Sequence, residues 1–465
     1  MIHLAIQRKP ETLENYFERD ITVGTNGLTP TWFGSLAPRL GLQGEIPRNE
    51  ESFAVFRNLA RGCSPNGAPL LASALRGSKH KRRVGYDVTV AAPKTVTVAA
   101  LVGGDHRVLE AHRRAIRTLL TEIENRARIS YSSCRLSTRA IIGAEFVHTR
   151  SRENNDPHLH SHLILLNLTR VDPAKLPPSS PCPWKALDPV KIYSDSVLLD
   201  LIYKSELAYC LRHYGYSVCI DKNSPELSII SPSDRIRFSS AKRRINELER
   251  ACFGTTQNPI HRVWVNDRFR KSKTHAEEAL ALESLAELWR QRMEPADREL
   301  LIAAIQKSFL DSLVAARRLE DRLPVIRAAL RDARRDAARE TLFVSPKLIW
   351  KRFLPRVMGI MPWEELKSLV KQALAPAALP AAPSALLAMN LELVRRQLLL
   401  EHVAHQESVG DLVPVIEASS TLSNRRRGLA GLISQTPENE TECVDDLTNE
   451  LSKNPTQSTP RKRGV

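Results

Sequence analysis

Two apolar runs, residues 140–148 and 158–169, flank a charged turn containing Asn-Asp-Pro and predict the paired strands of a hairpin. Residues 84–90 (Val-Gly-Tyr-Asp-Val-Thr-Val) predict another strand, and 217–230 a further hairpin. Helical spacing is clearest over 105–128, where Val108, Ala111, Ile116, Leu119, Leu120 and Ile123 recur on one face. Helices are also predicted over 194–214, ended by Gly215, over 235–250 and over 276–293. Near the start, residues 10–19 predict a short helix carrying Tyr16 and Phe17, and the Gly/Thr/Asn/Pro stretch 23–30 a loop. Pro93 suits the first position of a helix, although the β-branched content of 95–101 argues against one there.

Beyond about residue 296 the pattern changes. Ala, Leu and Arg dominate to about 345 in long helical stretches broken at Pro324, and the Ala/Pro-rich residues 375–383 mark a joint before another helix. From Thr421 onward the composition is Ser, Thr, Asn, Glu and Pro with a basic end. The expected division is therefore a mixed domain over 1–293, an α-helical domain over 296–410 and a disordered tail over 411–465. A length of 465 residues agrees with two or three domains.

Charge narrows the function. Lys and Arg number 68 against 52 Asp and Glu, a formal charge of +16, and the pI is about 9.7. That surplus points to a polyanionic partner, nucleic acid ahead of membrane, with a merely soluble basic protein as the plainer alternative. The seven cysteines are scattered and form no C-x-x-C pair, which argues against a disulfide framework or thiolate zinc site and for a reducing compartment. No apolar stretch is long enough to span a membrane and no secretion signal is present, so a cytoplasmic protein without membrane insertion is expected.

Four histidines cluster in the predicted hairpin. His158, His160 and His162 share parity on one strand, and His148 ends the other. A single strand histidine is ordinarily a hydrogen-bonded core residue, but three on one face beside a fourth form a set of imidazoles suited to a divalent metal. With no cysteine close in sequence, an open site that leaves metal positions for substrate is expected rather than a closed structural one. In a basic protein, an open metal site points to phosphodiester chemistry, with metal-bound water or a side chain such as a tyrosine as nucleophile.

The His-hydrophobe-His strand resembles that of the HUH endonucleases. More specifically, Gly85-Tyr-Asp-Val-Thr-Val-Ala-Ala-Pro-Lys-Thr-Val96, His148 and Asp156-Pro-His-Leu-His-Ser-His162 together resemble the MobF class of conjugative relaxases (TraI/TrwC type), over residues 1 to about 293. The resemblance implies an α+β fold, a central antiparallel sheet flanked by helices, with a helical DNA-clamping part over 235–293. It implies a metal triad of His148, His160 and His162, with His158 a neighbour. Asp87 would orient a ligand histidine or help the nucleophile lose its proton, and Tyr16 would be the nucleophile. Lys81, Arg82, Arg83 and Lys94 would lie near phosphate, and Lys242, Arg243, Arg244, Arg268, Arg270 and Lys271 in the clamp. The implied activity is site- and strand-specific nicking and rejoining of DNA at a transfer origin, through a 5′-phosphotyrosyl intermediate. The implied cofactor is Mg, Mn or Zn, and the implied partners are single-stranded origin DNA, a coupling protein and accessory DNA-binding proteins. No G-x-x-x-x-G-K-[ST] occurs, so a separate helicase would be required. The alternatives are an initiator of rolling-circle replication or transposition, and an accessory factor or regulator that has lost nicking.

Overall fold

The alternating segments form the middle of a five-stranded antiparallel sheet in the computed structural model of the protein. It describes residues 2–7, 18, 21, 28–71, 83–131, 134–151, 154–176, 182–254, 261–262, 264–265, 282–312, 322–341 and 344–374. The strands β1 (Ile2–Gln7), β2 (Thr31–Phe33), β3 (Gly85–Ala91), β4 (Gly143–Arg150) and β5 (Pro157–Leu166) stand in the order β1-β3-β5-β4-β2. Register fixes the faces. Thr89 and Phe146 both lie opposite His162, and His148 lies opposite His160, so these side chains share one side of the pleat.

On that side, α1 (Glu50–Ala60) places Phe53, Phe56 and Leu59 against Ala144, Phe146, Ile164 and Leu166. The helix starts where Asn49 accepts the backbone N–H of Ser52. The other side of the sheet, with Val88, Val90, Leu159, Leu163 and Leu165, packs on α2 (Lys94–Leu101), α3 (His106–Glu124) and α4 (Ser196–His213). Helix α2 forms despite its β-branched residues because burial outweighs a propensity difference of a few tenths of a kcal/mol per residue. It is also tied down by Thr95, whose hydroxyl donates to Glu226 at 2.6 Å and accepts from the Leu227 N–H at 2.9 Å.

Asp105 caps α3 by accepting the Arg107 N–H, and the helix ends at Glu124 rather than 128. Arg128–Tyr131 instead pairs with Cys134–Ser137 as a two-stranded ribbon. The predicted 217–230 hairpin is present as Val218–Asp221 paired with Ser224–Leu227, turning through Lys222 and Asn223 at positive φ. The predicted helix over 235–250 divides into α5 (Pro232–Arg237) and α6 (Ser240–Phe253), parted at Phe238 and Ser239. Of the predicted 276–293 helix, α7 (Leu282–Gln291) lies among the described residues.

The chain continues as α8 (Pro295–Ser312), α9 (Leu323–Glu340), α10 (Pro346–Val357) and α11 (Trp363–Leu374). Pro324 falls in the first turn of α9, where its missing N–H costs nothing. Helix α4 is apolar nearly all round because it has cores on two sides. Tyr203, Leu207 and Leu211 face the sheet, whereas Leu198, Leu201 and Ile202 meet Ile326, Leu330, Phe353 and Leu366. Glu122 of α3 reinforces this second contact by accepting from Trp363 Nε1 at 3.0 Å, from Lys367 and from Arg126. Gly215, predicted to stop α4, takes φ of +82°, and a Cβ there would meet the Ser308 carbonyl oxygen at 2.1 Å. The sheet and these helices form one compact unit over residues 1–379. The expected tail over 411–465 lies outside the described residues.

Candidate metal centre

The centre is built where β4 and β5 pair. Their ring centroids set His148, His160 and His162 in a near-equilateral triangle, 5.3 Å from His148 to His160, 5.0 Å to His162 and 5.2 Å between the last two. One nitrogen from each lies within 4.8 Å of the others, so a single ion could be reached by all three. The three are 7–9% exposed, open enough for a substrate oxygen and closed enough to strengthen electrostatics. His158 has the same parity but stacks face to face on His160 at 4.5 Å, outside the triangle. The register between the two strands shifts between His148 and Arg150, which breaks simple alternation at this end of the hairpin.

The imidazoles are held in a metal-ready form. Nδ1–H of His162 lies 2.9 and 3.0 Å from the two oxygens of Asp87, and Nδ1–H of His160 donates to the His158 carbonyl at 2.9 Å. Engaging Nδ1 as donor leaves the lone pair on Nε2, the arrangement expected for a ligating histidine. Burial, reinforced by the neighbouring imidazoles, holds His160 well below the ordinary histidine pKa, so it stays neutral and able to ligate. Burial, with the nearby Lys94 charge, likewise pushes His158 down to about 3. Three converging imidazoles, one of them oriented by the Asp87 carboxylate, therefore fit a divalent ion.

Thr89 was not singled out in the sequence, yet its hydroxyl donates to Asp87 at 3.3 Å and stands beside His162 Nδ1. Its signal was parity with Asp87 on β3. The turn between β4 and β5 is anchored by residues that no local pattern links. Asn154 and Asn155 adopt left-handed φ of 56° and 47°, which asparagine tolerates. Asp156 accepts from the Ser240 N–H at the start of α6 at 2.6 Å and from Arg292 at 2.7 Å. Trp289 of α7 donates its indole N–H to the Asn155 carbonyl at 2.7 Å. The helices of the predicted clamp thus seat on the turn that joins the metal strands.

The remaining sequence-predicted residues are dispersed. Lys94 is turned inward, donating to the Pro157 carbonyl at 2.6 Å, and burial lowers its pKa to about 8. Arg83 is exposed just before β3. Lys242, Arg243 and Arg244 are exposed on α6, with Arg243 also donating to Ser240 Oγ and Arg244 facing Glu247. Tyr16, Lys81, Arg82, Arg268, Arg270 and Lys271 lie outside the described residues.

Known proteins share this architecture. A family model described as TrwC relaxase matches residues 6–296. The multifunctional conjugation protein TraI of Escherichia coli is 30% identical over 230 residues, covering 46% of this chain and 12% of that protein. TraI of E. coli strain K12 is 28% identical over the same length, and again only 12% of that protein is matched. The chain therefore corresponds to about an eighth of these curated relatives. Among solved structures, the conjugative relaxase TrwC in complex with OriT DNA, in its metal-free form, superposes with a TM-score of 0.52 at 28% identity. That match covers 63% of this chain and 97% of the other. The metal-bound complex of the same relaxase gives a TM-score of 0.52 at 27% identity, with the same coverage.

Proposed function

Because the chain belongs to the TrwC relaxase family, we propose that it is a metal-dependent relaxase that nicks and rejoins one DNA strand at an origin of transfer. The observation that carries this reading is the triangle of His148, His160 and His162, with Asp87 holding His162 from behind. The TraI relatives are described as conjugation proteins, and the TrwC structures hold OriT DNA with and without metal.

In the proposed reaction His148, His160 and His162 would hold a divalent ion. When bound, that ion supplies Lewis-acid polarisation of a phosphoryl oxygen and offsets charge that develops on it. Asp87 and the His158 carbonyl keep the rings in the ligating tautomer. Tyr16 is the proposed nucleophile. Its phenol gives up its proton, the oxygen forms a bond to phosphorus as the P–O3′ bond breaks, and the departing 3′-oxygen takes up a proton, giving a 5′-phosphotyrosyl linkage and a 3′-hydroxyl. The reverse step, with a 3′-hydroxyl attacking, rejoins a strand without hydrolysis. Residues 235–293, with Lys242, Arg243 and Arg244 exposed on α6, are the proposed clamp. Cations there would contribute affinity through counterion release. Arg83, Lys81 and Arg82 are proposed to meet the backbone nearer the sheet.

Residues 1–293 would carry the chemistry. The helices beyond them are the proposed meeting place for a coupling protein, an accessory DNA-binding protein or a separate helicase. Among the described residues no helix is long and apolar enough to cross a membrane, and the proposed place of action is the cytoplasm.

The test is incubation of the full chain with labelled single-stranded oligonucleotides tiling the DNA around its own gene, with Mg, Mn or Zn supplied in turn. A denaturant-stable protein–DNA adduct that needs metal supports the reading. Sequence-selective binding without any adduct would instead favour the accessory-factor alternative.

A further inference from the structure

Ser161 is an exception on its face of β5. Its neighbours there are Leu159, Leu163 and Leu165, all buried in the core against α2, α3 and α4, yet Ser161 is fully buried too. Pleating sends its side chain to the side of the sheet opposite His160 and His162, directly between them in sequence. There it becomes the hub of a buried chain of four polar groups. Ser161 Oγ donates to Glu145 of β4 at 2.8 Å and lies 3.0 Å from Nε2 of His112 on α3. His112 Nδ1 lies 2.7 Å from the hydroxyl of Tyr203 on α4. His112 and Tyr203 have no exposed surface.

The directions of these bonds are set by the hydroxyl. A serine has one proton, which here goes to Glu145, so its oxygen must accept from Nε2–H of His112. Nδ1 is then the acceptor of the Tyr203 O–H. Burial pushes His112 down to about 3, which keeps it neutral and consistent with one donor and one acceptor. Every member has a partner, and the chain ties β4, β5, α3 and α4 together under the triad.

We propose that Ser161 and His112 are positioning residues for the metal centre. This rests on the metal reading given above. Asp87 and the His158 carbonyl limit rotation of the His162 and His160 rings, but neither fixes the height of β5 relative to β4. Ser161 does so, because its backbone lies between the two ligand residues and its hydroxyl is held by Glu145 of β4 and His112 of α3, the latter held in turn by Tyr203 of α4. A site of this kind must be kept to within about 0.5 Å of its productive geometry, which needs support behind the ligands as well as beside them. An alanine at 161 would fill nearly the same volume without the anchor.

The experiment uses the full chain loaded with Co(II), whose visible bands report ligand geometry independently of activity. Wild-type protein is expected to bind one Co(II) at the triad, and His148→Ala to lose it. Ser161→Ala is expected to keep a cooperative unfolding transition, to weaken Co(II) binding about tenfold, and to shift the bands. Ser161→Thr, which restores a hydroxyl, is expected to recover most of both. Tyr203→Phe is expected to move affinity in the same direction by less, and it decides the matter if Ser161→Ala does not fold. Wild-type affinity and bands in Ser161→Ala, or in Tyr203→Phe where that variant decides, would overturn this inference alone. Failure of the wild-type protein to bind Co(II) through His148 would overturn the metal reading and this inference with it.

Discussion

Replacing Asp87 by Asn tests how the ligating tautomer is held. The carboxylate is largely buried, and its two oxygens lie 2.9 and 3.0 Å from His162 Nδ1. As an anion it accepts Nδ1–H, leaves Nε2 as the ligand atom and raises its basicity. Asparagine has nearly the same shape but no charge. Its amide can turn its N–H toward Nδ1, which would move the imidazole proton to Nε2 and block the ligand position. Supporting partners of this kind are worth about 10–100-fold in metal affinity, or roughly 1.4–2.7 kcal/mol. Thr89, which donates to the same carboxylate, can still hold the asparagine oxygen in place, so the fold should be little changed. The assay is competition of metal-free protein against a coloured chelator for Zn or Mn, with thermal unfolding measured alongside. Unchanged metal affinity in Asp87→Asn, with the triad still required for binding, would refute the reasoning.

Two further outcomes follow from buried charge. Asp156→Asn should destabilise the protein by about 2 kcal/mol in urea unfolding, because a charge-assisted bond to Arg292 and the cap on α6 are both weakened. It should also raise proteolysis within 240–312, and an unchanged digestion pattern would count against anchoring of the clamp by this turn. The second outcome concerns pH. His112 is held down to about 3 in the folded state, against about 6.5 unfolded. The unfolded chain then binds the extra proton, so stability falls as pH drops from about 6.5 toward 3. At pH 5 this histidine alone contributes a loss of about 2 kcal/mol, from 1.5 pKa units at 1.36 kcal/mol each. Comparison of urea midpoints of wild type and His112→Gln at pH 7 and pH 5 checks it, since the variant should lose that part of the slope.

The sequence made the middle of the sheet visible because β3, β4 and β5 alternate and end in recognisable turns. It also brought out the triad, since His160 and His162 share parity and the family resemblance adds His148. Parity could not separate His158, because its exclusion depends on stacking against His160 and on the register shift after His148. Helix 235–250 reads as continuous because its periodicity continues across the break. The start of α6 is held by Asp156, more than eighty residues away in sequence, whose carboxylate accepts the Ser240 N–H. The limits of α3 were blurred at one end for a similar reason, as strand pairing claims Arg128. The network under the triad was invisible for a different cause. A lone His, Ser, Glu and Tyr on four segments show no spacing in common, and only the packing of α3 and α4 on the sheet joins them.

The central claim is that a tyrosine near the N-terminus forms a covalent bond with DNA at a site organised by the three histidines. The most direct measurement is mass spectrometry of the protein after reaction with cleavable single-stranded DNA and metal, in wild type, Tyr16→Phe and His160→Ala/His162→Ala. The account predicts a nucleotide adduct on the peptide containing Tyr16 in the wild type, and no adduct in either variant. It also predicts that Tyr16→Phe still binds the oligonucleotide. An adduct in Tyr16→Phe, or undiminished adduct in the double-histidine variant, would contradict it.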